Sequence, residues 1–278
     1  MPSSFTKILL LVWILIQLVS CNSIKYVQEN ENLLKDNKVL INGEKNKDPE
    51  INNYLSQKPN RTFLGKPLSL YFYNVGNEDF EMTFDEWIEN HPKKYNRYES
   101  FFSKKQTFGI YKNKRSVNNW FLNKGEAPVI YDELKAKRSA NTLKDYFISK
   151  GFFEATVNFD TLKVCDRELE VTYNISPNTQ YFIDSVTTEI ESPVLDSIYR
   201  ANTENSILKP GKPFVFEEFE QEESRLVNLF RNSGIYHFKN YSMGFCTDSI
   251  KGSYMKDVLL KIHDRLVNRN DSLIKETY

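Results

Sequence analysis

The sequence predicts an α+β chain in which one β-α-α-β-β unit is used twice, and three observations carry the prediction. Two helix starts match each other, two amphipathic helices end alike at a glycine, and strand-like segments flank both pairs of helices in the same order.

The helix starts are Asp48-Pro49-Glu50-Ile51-Asn52-Asn53-Tyr54-Leu55 and Ser192-Pro193-Val194-Leu195-Asp196-Ser197-Ile198-Tyr199. Asp48 and Ser192 can cap the unpaired first-turn amides, and proline suits the first helical position. Ile51, Tyr54 and Leu55 correspond to Leu195, Ile198 and Tyr199, apolar residues at helical spacing. The longer helices follow. Ala136, Ala140, Leu143 and Phe147 make one stripe, and Phe216, Phe219, Leu226 and Phe230 make the other, with Glu223 at the one off-pattern position. Each stops at a glycine, Gly151 or Gly234, the residue that takes a left-handed conformation past a helix end without steric cost.

Strands are expected before the first helix of each unit, at Val39–Ile41 and at Tyr181–Ile190. Others follow the glycines. In the first unit Thr156–Asp160 and Glu170–Ile175 alternate. In the second, Phe238–Phe245 leads to a turn-rich stretch through Gly252 and Ser253, then to Val258, Leu260 and Ile262 on one face.

The copies differ by an insertion. From Pro49 to Gly151 is 102 residues and from Pro193 to Gly234 is 41, so the first unit carries roughly 61 more, at about 60–125. Aromatic residues stud it at Phe84, Trp87, Tyr95, Tyr98, Phe101, Phe102, Trp120 and Phe121, interleaved with lysines. Two readings stand: a partner-binding surface, or an elaborated loop whose rings pack on their own domain.

Ahead of the first unit, Lys7, the apolar run 8–20 and Leu18-Val19-Ser20-Cys21 have the three-part form of a secretory signal. Thirteen residues are too few to span a bilayer core of about 30 Å. Leu-x-Ser-Cys resembles a bacterial lipobox, which implies that Cys21 carries diacylglycerol and further acyl chains such as palmitate. The alternatives are an ordinary signal peptide with a chance cysteine, or a tail-free membrane anchor. Several acyl chains at about 0.8 kcal/mol per buried methylene would make a lasting tether outside the cytoplasm. Cys165 and Cys246 could pair, but two cysteines 81 positions apart make no disulfide framework, and separate thiols are the expectation.

Composition narrows the function. Lys and Arg number 37 and Asp and Glu 37, so no net field favours nucleic acid. His91, His237 and His263 have no metal-ligand spacing, and no His-Glu-x-x-His, Gly-x-Ser-x-Gly, Walker or dinucleotide-binding turn is present. The acidic pairs Glu217-Glu218 and Glu222-Glu223 read as solvated charge on an amphipathic helix. No enzyme, cofactor or metal is expected.

Gly151-Phe152-Phe153-Glu154-Ala155-Thr156-Val157 resembles the Gly-aromatic-x-x-Ala-x-Val ending of POTRA modules in outer-membrane assembly proteins of the BamA/TamA type. Gly234-Ile235-Tyr236 matches more loosely. Lys58-Pro59-Asn60 to Gly65, Leu70–Asn74 and Gly125–Tyr131 further resemble the TamL-like lipoprotein branch of Bacteroidota.

The resemblance implies a lipoprotein signal peptide at 1–20, a POTRA-like module at 21–178 with its insertion, and a second at 179–265. Residues 266–278 would form a linker toward a missing downstream region, since family members continue into a β-barrel. It further implies an outer-membrane-anchored lipoprotein with its body in the periplasm, a scaffold that docks unfolded outer-membrane proteins or assembly subunits. The docking strands would be those after the glycines: Ala155, Thr156, Val157, Asn158 and Phe159, and Phe238, Lys239, Asn240 and Tyr241. An edge strand offers unpaired amides and carbonyls to an extended client. Neighbouring modules could instead cover both edges. The other reading of the whole is a stand-alone envelope lipoprotein that binds a partner or ligand without a barrel.

Overall fold

Both repeats run strand, helix, helix, strand, strand, as expected. A computed structural model describes residues 23–249, 253–269 and 272–278. The first repeat begins with β1 (Leu33–Ile41), the two-residue β2 (Glu44–Lys45) and a 3-10 turn at Pro49–Tyr54. Four inserted helices come next, α1 (Leu68–Val75), α2 (Phe84–Asn90), α3 (Pro92–Glu99) and α4 (Lys104–Lys124). The repeat then closes with α5 (Glu133–Ser149), β3 (Thr156–Cys165) and β4 (Glu168–Ser176). The second repeat is β5 (Phe182–Ile190), α6 (Pro193–Arg200), α7 (Phe216–Asn232), β6 (Met243–Ser249) and β7 (Met255–Ile262).

Strand order is β2-β1-β4-β3 in one sheet and β5-β7-β6 in the other. In each repeat the first strand therefore lies beside the third, and the second strand is outermost. In the second repeat β5 runs parallel to β7 with Thr188 opposite Leu260, and β6 runs antiparallel with Phe245 opposite Leu260.

The caps form as the sequence predicts. Asp48 accepts from the Glu50 amide at 2.9 Å and Ser192 from the Leu195 amide at 3.5 Å. The first helix of the first repeat is, however, only a six-residue 3-10 turn. Ala136, Ala140, Leu143 and Phe147 are all buried on α5. On α7 Phe219, Leu226 and Phe230 are buried, while Phe216 is exposed and Glu222 is buried in their company. Glu222 is therefore not solvated charge: its carboxylate accepts from Ser206 Oγ and the Ile207 amide, each at 2.9 Å, and pairs with Arg225 at 2.7 Å. The loop between α6 and α7 supplies those donors, a long-range fact that helical periodicity does not contain.

The chain divides into two compact units that cut across the repeats: 23–38, 56–136 and 159–172, and 39–55, 137–158 and 173–278. In the former, Val27, Leu33 and Leu70 form a buried cluster with Ile24 and Ile130 against it. Its inserted helices have their own aromatic core, in which Trp87 and Tyr111 are buried and the Phe84 ring lies 5.8 Å from Trp87. Phe101, Phe102 and Trp120 stay exposed. In the latter unit, α6 and α7 pack Leu195, Tyr199, Leu226 and Phe230 onto Leu260 and Ile262 of β7.

Residues 266–278, expected as a linker, contribute to a hairpin of β8 (Arg265–Arg269) and β9 (Ser272–Glu276), with Val267 opposite Ile274. Leu266-Val267 and Leu273-Ile274 flank a polar centre, a strand pattern too short to separate from coil by inspection. The Tyr278 ring then packs 5.5 Å from that of Phe238. No helix among the described residues is long and apolar enough to cross a membrane.

Candidate docking edges

In both repeats the segment before the second long helix lies along the outer side of the first strand. In the first repeat the Leu34 amide donates to Val129 O at 2.8 Å, the Tyr131 amide donates to Asn32 O at 2.8 Å, and Leu33 bridges Ile130. In the second, the Ile183 amide donates to Lys212 O at 2.8 Å, the Gly211 amide to Ile183 O at 2.8 Å, and Phe182 bridges Pro213. Both first strands thus have part of their outer backbone satisfied.

Two amide side chains hold the first of these covers in place. Asn60 donates to Ala127 O at 2.8 Å and accepts from the Val129 amide at 3.1 Å; Gln57 donates to Ile130 O and accepts from the Asp132 amide at 3.2 Å. Asn60 and Gln57 are buried, and each reads the main chain as a strand neighbour would. The stretches 58–65 and 125–131, both singled out by resemblance, therefore meet through Asn60.

The opposite edges differ. Among the described residues no strand pairs with the outer side of β3 or of β6. β3 has ten residues, about 34 Å of strand, and nearly all of its second half is exposed, including Leu162 and Val164. Thr156, Val157, Asn158 and Phe159 lie on it, whereas Ala155 is buried just before it. β6 has seven residues, with Cys246, Thr247 and Asp248 exposed.

The second set of sequence-predicted docking residues needs correction. Phe238 is buried against Phe230, their ring centroids 4.7 Å apart, and the 3-10 turn Asn240–Ser242 takes in Asn240 and Tyr241, with Lys239 as its cap. The edge strand starts only at Met243. Eight residues separate Gly234 from Met243, against four between Gly151 and Thr156, and the extra chain dips Phe238 into the core. Gly151 and Gly234 both hold positive φ, +89° and +97°.

Cys21 lies outside the described residues. Cys165 and Cys246 are free and exposed, one at the end of β3 and the other within β6. Ser23, two residues after Cys21, donates to Glu168 Oε1 at 2.6 Å, while Lys35 pairs with the other oxygen at 2.8 Å. Burial pushes the Glu168 carboxyl upward, and these two donors outweigh it and hold it below its ordinary value. In the second repeat Glu191 accepts from the Asp264 amide at 2.8 Å, Lys275 at 2.5 Å and His263 at 3.3 Å. Those donors, the Asp264 amide foremost, bring its pKa down to about 2. Among the described residues no group of His, Cys, Asp and Glu is disposed to hold a metal ion.

No family model matches the chain, and no curated protein matches it. Solved structures similar to it include a BamA from Haemophilus ducreyi lacking POTRA domains 1–3, at 14% identity and TM-score 0.32, covering 51% of this chain and 25% of that one. POTRA3–5 of Haemophilus influenzae BamA aligns at 12% identity and TM-score 0.30, over 85% of this chain and 99% of that one. POTRA1–2 of the periplasmic domain of Omp85 from Anabaena aligns at 10% and 0.30, over 84% and 98%. This chain thus spans about a quarter of the Haemophilus ducreyi protein's length.

Proposed function

We propose that this chain is a scaffold tethered to the bacterial envelope through an acylated Cys21, with its body in the periplasm. It receives extended polypeptides, unfolded outer-membrane proteins or assembly subunits, by strand addition at β3 and β6. One observation supports the reading: both repeats cover part of the first strand's outer edge with the same segment, and among the described residues the second strand stands at the margin of its sheet. Exposed strand edges invite pairing with other chains, and proteins blunt them where that is harmful. Main-chain hydrogen bonds would give such docking its affinity without a fixed client sequence.

The test places photo-crosslinking side chains at Asn158 on β3 and Thr247 on β6 in the full chain, in cells. A third goes at Glu220, on the exposed side of α7. Adducts with unfolded barrel proteins from both edges, and none from Glu220, are expected. No client adduct from either edge would remove the docking role. Mass analysis of the N-terminal peptide tests the tether separately, and an unmodified Cys21 in envelope-extracted protein would remove it.

A further inference from the structure

We infer that the inserted segment seats the protein on the bilayer surface, with the turn at Phe63-Leu64 and the outer stripe of α1 among anionic lipid headgroups. The inference rests on the anchoring at Cys21 proposed above.

The turn is built against its own stability. Phe63 and Lys66 exchange backbone hydrogen bonds of 2.8 and 3.1 Å, so Leu64 and Gly65 form the tip, with φ of +50° and +76°. Such positions suit Asn-Gly, and a leucine there is strained. Yet Leu64 is 89% exposed and Phe63 65% exposed. Neither side chain contributes to the core, and one of them costs backbone strain.

The chain passes directly from this tip into α1, which is apolar on two sides. Leu70 is fully buried, while Leu68, Phe72 and Val75, at i, i+4 and i+7, line the other side and are each more than a third exposed. Trp120 of α4 joins them, its ring 6.2 Å from that of Phe72 and half exposed. An exposed apolar stripe of this kind, continued by Trp120, marks a contact surface.

What lies nearby names the cover. Ser23 and Gly65 line one cleft of about 420 Å³, and Ser23 is two residues, about 7 Å of chain, from Cys21. Lys25 Nζ then bonds Asn74 O and Gly76 O at 2.7 Å each, and the Tyr26 hydroxyl also donates to Gly76 O, so the chain behind the anchor is fastened to the end of α1. A lipid on Cys21 therefore draws the turn and α1 toward the headgroup layer, where amphipathic surfaces settle about 5–10 Å deep. Arg61 and Lys66 flank the tip, and Glu126, a carboxylate that reaches the segment, accepts from the Arg61 amide and Ser69 Oγ at 3.0 Å each, so the tip itself bears cationic side chains whose sign complements anionic lipid.

The experiment uses the full acylated protein on vesicles of phosphatidylethanolamine and phosphatidylglycerol, with and without bromine on the acyl chains. After signal removal the tryptophans are Trp87, which is buried, and Trp120. Bromine should quench most of the Trp120 emission, and Trp120→Phe should lose the quenched component. Leu64→Asn, which suits the backbone at this tip, should keep or raise the thermal midpoint and weaken quenching severalfold. Protein that floats with vesicles while its emission ignores bromine would overturn the inference and leave the anchor standing. So would Trp120 shielded from aqueous iodide but not quenched by bromine, because a protein would then cover this face. Failure to float at all would remove the anchor and the inference together.

Discussion

A β-carbon placed on Gly151 would stand 2.4 Å from the carbonyl oxygen of Phe214. The contact joins the end of α5 to the very segment that covers β5. The Tyr181 amide donates to Gly151 O at 2.9 Å, and the Phe214 amide donates to Tyr181 O at 2.8 Å. Phe153 closes the junction, its ring 5.2 Å from Tyr181 and 5.4 Å from Phe214, with the Lys256 amine 4.5 Å above it. The helix end of one repeat thus buttresses the blocked edge of the next.

Gly151→Ala should therefore be much worse than Gly234→Ala, although both glycines end helices with positive φ. At Gly234 nothing lies within 4 Å of the added carbon, leaving only the left-handed penalty of about 1–2 kcal/mol. At Gly151 a backbone clash adds roughly 1–3 kcal/mol to the same penalty. Urea unfolding of the two variants measures the difference. Equal losses would mean that the junction gives way freely.

Glu222→Ala should cost about 3–5 kcal/mol, since it strips a buried ion pair of one partner. The Ile207 amide and the Arg225 guanidinium would both lose their acceptor. Glu222 with Arg225 replaced together by methionine should recover most of that loss. Burial alone would raise this carboxyl, yet Arg225, the Ile207 amide and Ser206 hold it low. A loss below 1 kcal/mol by calorimetry would show that water reaches the site.

The repeat order was legible because caps, glycines and stripes are local: Asp48, Ser192, Gly151, Gly234 and the buried side of α5 all fell where the pattern put them. The inserted helices carried signals too, in the capping boxes Thr83-x-x-Glu86 and Ser103-x-x-Gln106. What stayed hidden depends on distant partners. Glu222 sits one residue from the off-pattern Glu223, a 100° rotation that matters only because Ser206 and Ile207 wait there. Phe238 opens a stretch whose Tyr241, Met243 and Phe245 look like strand, and only the presence of Phe230 opposite shows why it turns inward. Which edge is covered was likewise unreadable, because 129–131 and 211–214 are ordinary loop sequence until they meet β1 and β5.

Acid should loosen the β8–β9 hairpin before the rest of the second repeat. Glu191 has its pKa lowered from 4.5 to about 2, so its contribution is complete above the unfolded value and lost as pH falls from 4.5 toward 2. Its donors are the Asp264 amide, His263 and Lys275, which tie the hairpin's approach and β9 to the end of β5. Protection from hydrogen exchange at 265–269 and 272–276, taken relative to unstructured chain at the same pH, should fall across that window. In Glu191→Gln that protection should already be low at neutral pH and change little with acid. An unchanged wild-type profile between the two pH limits would show that the hairpin is held by other contacts.

Lysine at the open edges should separate docking from folding. Leu162 on β3 and Thr247 on β6 are exposed, so Leu162→Lys and Thr247→Lys should change stability by no more than about 0.5 kcal/mol. A lysine on an edge discourages a further strand, because the incoming chain must accommodate a charged side chain beside its own backbone. Client adducts from Asn158 should therefore fall in Leu162→Lys, and those from the second edge in Thr247→Lys, each variant sparing the other edge. Val171→Lys supplies the contrast: Val171 is buried in the middle of β4, where a lone ammonium has no acceptor, and that variant should unfold. Adduct yields that follow stability rather than edge chemistry would place the client elsewhere on the molecule.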